Sequence, residues 1–165
     1  MIYTEAMSPI TSAGITHAKH QAPRRPPFRG KTRGASLGLT ATATDQLVSQ
    51  VEAGLPFKAL KSLATLSGLP VTLIASTIGI PERTLARRKA GGRFATDESE
   101  RLLRISTIFE QAVELFEGDV AGAVTWLTSP KRVLGDRTPL AYSRTELGAR
   151  EVENLIGRLE HGVFS

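Results

Sequence analysis

Apolar residues along this chain recur at steps of three and four, and Gly or Pro closes most of the runs. Side chains three or four apart share one face of a helix, so this spacing predicts helices. A first helix is expected over residues 44–53. Thr44 or Asp45 would cap it, Leu47, Val48 and Val51 would face inward, and Gly54 would end it. Pro56 opens a second, with Phe57, Leu60, Leu63, Ala64 and Leu66 on its apolar side and Gly68 at its end. Residues 70–89, PVTLIASTIGIPERTLARRK, have the shape of a helix-turn-helix. Pro70 and Pro81 suit first helical positions, where a missing N–H costs nothing. Val71, Ile74, Ala75 and Ile78 share one face, Gly79 supplies the tight turn, and Leu85 points inward from the second helix.

After the connector at residues 91–94, a long helix is expected from near Thr96. Its apolar stripe is Leu102, Ile105, Ile108, Phe109, Ala112, Val113 and Phe116. Acids at 97, 98 and 100 complement the positive end of its dipole. Gly118 ends it, and Asp119 caps a helix carrying Ala123, Val124, Trp126 and Leu127, which Pro130 breaks. Val133 and Leu134 form an apolar knob. Thr138 caps a short helix with Pro139 first and Leu140 inside. Thr145 opens the last helix, with Val152, Leu155, Ile156 and Leu159 inward and Gly162 closing it. No strand-like alternation lasts beyond a few residues, so the fold class is all-α. The expected division is a basic tail over 1–40, a helix-turn-helix domain over 41–94 and a second helical domain over 95–165.

The tail is Pro-, Gly- and Arg-rich, lacks periodicity and is not expected to fold alone. Aromatics make up only 5% of the 165 residues, so the core must be Leu, Ile, Val and Ala. There is no Cys, which excludes disulfides and thiolate chemistry and is consistent with a reducing cytoplasm. No run approaches the ~18 apolar residues of a membrane span.

The net charge of +5 conceals a division: residues 1–45 carry +4, 46–95 carry +5 and 96–165 carry −4. Nucleic acid is the natural partner of the first part, and a basic protein surface of the last. On the second helix of the helix-turn-helix, Arg83 and Thr84 stand where base edges would be approached, with Arg87 one turn on. Arg88, Lys89 and the nearby Arg93 are placed for phosphates. Two short helices joined at a Gly also occur in proteins that never touch DNA, and Arg88 falls where an apolar residue often sits. The clustered cations favour DNA.

Catalytic chemistry is missing. Neither GxGxxG nor GxxxxGK[ST] occurs, and there is no HExxH. His17 and His20 lie in the tail without further ligands, and His161 is alone in the folded part. No metal, no cofactor and no enzymatic activity are expected.

Three stretches together resemble the antitoxins of the Xre/MbcA/ParS family. They are IPERTLARRKAGGRF followed by ESERLLRI, WLTSP leading to LGDRTPL, and the C-terminal pattern of Thr145, Gly148 and Ala149-Arg150 running on to Gly162-Val163. The resemblance covers about residues 50–165. Asp136-Arg137 and Tyr142-Ser143 depart from the usual pattern. The resemblance implies a type II antitoxin whose N-terminal half binds operator DNA and represses the operon. Its C-terminal half would cover the active site of a cognate RES-type, NAD-consuming toxin. Arg150, Glu153, Arg158, Glu160, His161, Gly162, Val163 and Phe164 are the expected toxin contacts. Acids of the last helix would pair with cations of a dinucleotide site, and Val163 and Phe164 would plug an apolar recess. A homodimer within a hetero-oligomeric complex is expected, because the helix over 97–117 carries more apolar surface than one small domain easily hides. The alternatives are a stand-alone transcriptional regulator whose second domain only dimerises, and a helical adaptor that binds protein but not DNA.

Overall fold

The computed structural model describes residues 33–41 and 43–162. Among them are eight α-helices and two 3-10 turns, with no strand beyond isolated bridges, as the all-α expectation required. The helices are α1 (Thr44–Glu52), α2 (Phe57–Ser67), α3 (Val71–Thr77) and α4 (Glu82–Gly91). They continue with α5 (Thr96–Leu115), α6 (Val120–Thr128), α7 (Pro139–Tyr142) and α8 (Glu146–Glu160). No single helix among these residues is long and apolar enough to cross a membrane.

α5 is the centre of the fold. Leu102, Ile105, Ile108, Phe109, Ala112 and Val113 are all buried, covered by α1, α2, α6, α8 and the first 3-10 turn. That covering corrects the premise of the dimer expectation. The inward stripe of α5 is hidden within one chain, and only Leu103, Leu115 and the following Phe116 stay half-buried at its flanks.

The helix ends follow local chemistry. Asp119, Thr138 and Thr145 accept from the N–H groups of Gly122, Ala141 and Gly148, as capping residues should. At α5, Glu98 accepts from the Ala95 N–H at 2.9 Å and satisfies one of the free donors of the first turn. Other expectations are corrected. Pro56, Pro70 and Pro81 occupy N-cap positions with extended ψ, one residue earlier than expected. Neither Thr44 nor Asp45 caps α1, which starts after Ala43. Val48 is exposed, because α1 is short and buries only Leu47 and Val51. In the knob, Leu134 is buried but Val133 is exposed.

Two glycines are required by close approach. A Cβ on Gly54 would strike the Phe94 carbonyl, where the connector is laced to the α1–α2 corner. Phe94 N donates to Leu55 O at 2.9 Å, Phe57 N donates to Gly92 O at 2.7 Å, and the Phe57 and Phe94 rings stack at 5.6 Å. A Cβ on Gly148 would strike the Tyr142 carbonyl, where α7 meets α8.

The tail expectation needs one correction. Residues 1–32, with His17 and His20, lie outside the described residues, but 33–40 fold onto the body. The 3-10 turn Ala35–Leu37 is held by Glu110, buried in α5. Its carboxylate accepts from Gly34 N at 3.1 Å, from Ser36 N at 2.8 Å and from Ser36 Oγ at 2.6 Å. A run of Gly, Ser and Arg gives no sign of such an anchor, because the partner is distant in sequence.

Replacing Glu110 with Ala would strand these donors in a buried site. We expect a loss of about 1–3 kcal/mol in urea denaturation. Burial also pushes the Glu110 carboxyl above its ordinary value of 4.5, against the lowering effect of Ser36, Gly34 and Arg33. The folded state then holds a proton that the unfolded state has released. This contribution is complete below the ordinary value and disappears as pH rises through the raised one. Urea midpoints of the wild type should therefore fall across that window relative to Glu110→Gln, which has no proton to lose. Parallel curves for the two proteins would contradict the assignment.

Candidate nucleic-acid interface and partner surface

α3, the turn at Gly79 and α4 form the helix-turn-helix. Ile74, Ala75 and Ile78 are buried, Gly79 has φ 73°, and Ile80 N returns to Ala75 O at 2.9 Å. The small Ala75 lets the turn close tightly. α3 leaves α2 with a bend of 114°. α4 thus lies on the surface, with no fully buried residue.

The cations of this region divide into free and committed groups. Arg83 and Arg87 are exposed, one turn apart on one face, and Lys89 is exposed on another. Thr84 is half-buried beside them. Arg88 is turned to the body instead. Its Nε and Nη2 donate to the two Glu98 carboxylate oxygens at 2.6 and 3.1 Å. That pairing raises its already high pKa further. The polar residue at a position where apolar ones are common is thus explained: an acid on α5 receives it. Arg93 donates through Nη1 to Ala53 O at 3.1 Å and Gly54 O at 2.7 Å, tying down the end of α1. Lys61, absent from the sequence reading, stands 6.0 Å from the Phe57 ring centre and lines a shallow groove with Lys89, Val71 and Leu85. Its position on the polar side of α2 offered no signal.

At the other end, α8 presents the expected partner residues. Val152, Leu155 and Ile156 are buried and Leu159 is half-buried, which orients the rest. Glu146 bridges Arg104 of α5 at 2.8 Å and Arg150 at 3.2 Å. Arg150, and then Arg104, holds its carboxyl below the usual range. Glu153 is half-buried in a groove shared with Arg33, Glu100 and Arg104. Arg158, Glu160, His161 and Gly162 are exposed at the end of the helix. His161 Nδ1 lies 2.8 Å from Gly157 O, and Gly162 turns the chain with φ 64°. Val163 and Phe164 lie outside the described residues. Leu147, 73% exposed on the first turn of α8, was overlooked. Its phase is opposite to that of the buried stripe, which was the available signal. Among the described residues no group of His, Asp or Glu could hold a metal ion.

Comparison with known proteins adds two family matches that meet within α5. Residues 46–106 match the antitoxin Xre-like helix-turn-helix domain. Residues 111–162 match the antitoxin Xre/MbcA/ParS C-terminal toxin-binding domain. The match thus carries α5 as far as residue 106 with the first segment, whereas the sequence alone suggested a division at 94. An Antitoxin Xre of Yersinia enterocolitica is 42% identical over 138 residues, covering 82% of this chain and 93% of the relative. An Antitoxin Xre of Photorhabdus laumondii is 37% identical over 131 residues, covering 79% and 88%. One of Pseudomonas putida is 33% identical over 84 residues, about half of each chain. With a surface helix-turn-helix on one side of α5 and a toxin-binding segment on the other, the chain belongs to the Xre antitoxin family.

Proposed function

We propose that this antitoxin neutralises a RES-type, NAD-consuming toxin by direct binding and represses its own operon through α4. α8 and the residues after it cover the toxin's active site, and Glu153 and Glu160 face the cations that would otherwise hold a dinucleotide phosphate. The observation that carries the DNA half is the exposure of Arg83, Arg87 and Lys89 on a helix with no buried side chain. The toxin half is supported by the match of residues 111–162 to a toxin-binding domain. The protein itself catalyses nothing in this reading and works in the cytoplasm. Its homodimer, within a larger complex with the toxin, now rests on the family resemblance alone. A monomeric mass throughout a dilution series in sedimentation would remove it.

Expressing the adjacent toxin reading frame alone and with this chain tests the inhibitory half. Deleting α8 would remove Val152, Leu155 and Ile156 and uncover the face of α5 on which the helix packs, unfolding the domain, so surface changes are the better probe. We expect the Glu153→Lys/Glu160→Lys double variant to lose growth rescue while remaining folded by circular dichroism. Full rescue by that variant would remove Glu153 and Glu160 from the toxin contact, whereas no rescue by the wild type would leave the stand-alone regulator as the better reading.

For DNA, Arg83→Ala should weaken binding to the upstream sequence by about 1–3 kcal/mol and blur sequence preference, if Arg83 reads a guanine. Lys89→Ala should weaken all sequences alike and lower the salt slope by about one. Equal losses on upstream and random duplexes for both variants would remove base reading from Arg83.

A further inference from the structure

α4 is held to the body by few interactions. Leu85 is half-buried against the core, the carbonyl of Gly92 accepts from Phe57, and Arg88 pairs with Glu98. The ion pair is the one directional side-chain link among these. Two parallel N–H···O bonds fix angle as well as distance. The Glu98 side chain is only 8% exposed, and the third bond from Ala95 N already fastens it to the start of α5. The fork that receives Arg88 is therefore rigid. Arg88 also stands about 100° around the helix from Arg87, given 3.6 residues per turn. To reach a phosphate, it would have to leave a buried carboxylate without its cation.

We infer that Glu98 and Arg88 are positioning residues for DNA recognition: they set the angle of α4 against α5, and neither touches the nucleic acid. The inference rests on the DNA-binding reading above. Its consequence runs against simple charge counting. Removing an acid beside a basic helix ordinarily strengthens attraction to a polyanion. Removing this one loosens the helix that must enter the groove in one orientation. Base contacts suffer, while phosphate attraction by Arg83, Arg87 and Lys89 persists.

The test uses the full chain, a duplex from upstream of its gene and a random duplex of equal length, titrated over a salt series well below each variant's melting temperature. Glu98→Gln should bind the upstream duplex roughly tenfold more weakly, the scale of one lost base contact. Binding to the random duplex should stay within about twofold, because its phosphate contacts are kept. Loss of stability alone would not move that ratio. Arg88→Gln should behave alike, and the double variant should be no weaker than either, since all three remove one interaction. The salt slope of Arg88→Gln should equal that of the wild type, whereas Lys89→Gln should lower it by about one. Tighter binding of both duplexes by Glu98→Gln, or a slope lowered by about one in Arg88→Gln, overturns the inference and makes Arg88 a phosphate contact. If Glu98→Gln fails to fold, the ratio and slope of Arg88→Gln decide, since that side chain is 25% exposed. A wild type that does not distinguish the two duplexes overturns the DNA reading itself, and this inference with it.

Discussion

Burial of the apolar face of α5 is the constraint on which the other elements depend. Twenty residues long, it is shared by the segments matching the two family domains. Ile108 and Leu102, both fully buried, cannot lose their cover without opening both segments. Each functional element is referred to this helix by a carboxylate or its partner. Glu98 holds α4, Glu110 holds the first 3-10 turn, and Arg104 holds Glu146 at the start of α8. Apolar packing brings the helices together, and these directional contacts fix their angles.

The fold was largely legible in the sequence because its helices are short and punctuated. Gly54, Gly68, Gly79, Gly92 and Gly118 all take positive φ, where side chains are strained. Asp119, Thr138 and Thr145 cap as their residue types suggest. The inward stripe of α5 emerged except at Phe116, the half-buried residue that follows the helix, since a long helix repeats its period enough times to be read. α1 was less clear. Over nine residues, periodicity could not distinguish Val48, which is exposed, from Leu47 and Val51, which are not.

The candidate interfaces were legible only as composition. A cluster of Arg and Lys is visible in the sequence, but the division of its members is not. Arg88 and Arg93 look the same as Arg83 and Arg87 until Glu98 and the carbonyls of Ala53 and Gly54 are in place. Acids near a helix start are ordinarily solvated, so Glu98 gave no sign of its second role. Glu110 joins a segment more than seventy positions away. Counting hydrophobic residues overstated the apolar surplus of α5, because five other elements share most of them.

The tight corner at Gly148 has an effect beyond packing. With Tyr142 pressed against the α8 backbone and Thr145 bonded to Gly148 N at 3.1 Å, the entry angle of α8 is set before any encounter. Under the proposed function, a toxin meeting α8 finds a ready-made rod over residues 146–160. Little conformational entropy is then forfeited on association, and more of the contact energy becomes residence time.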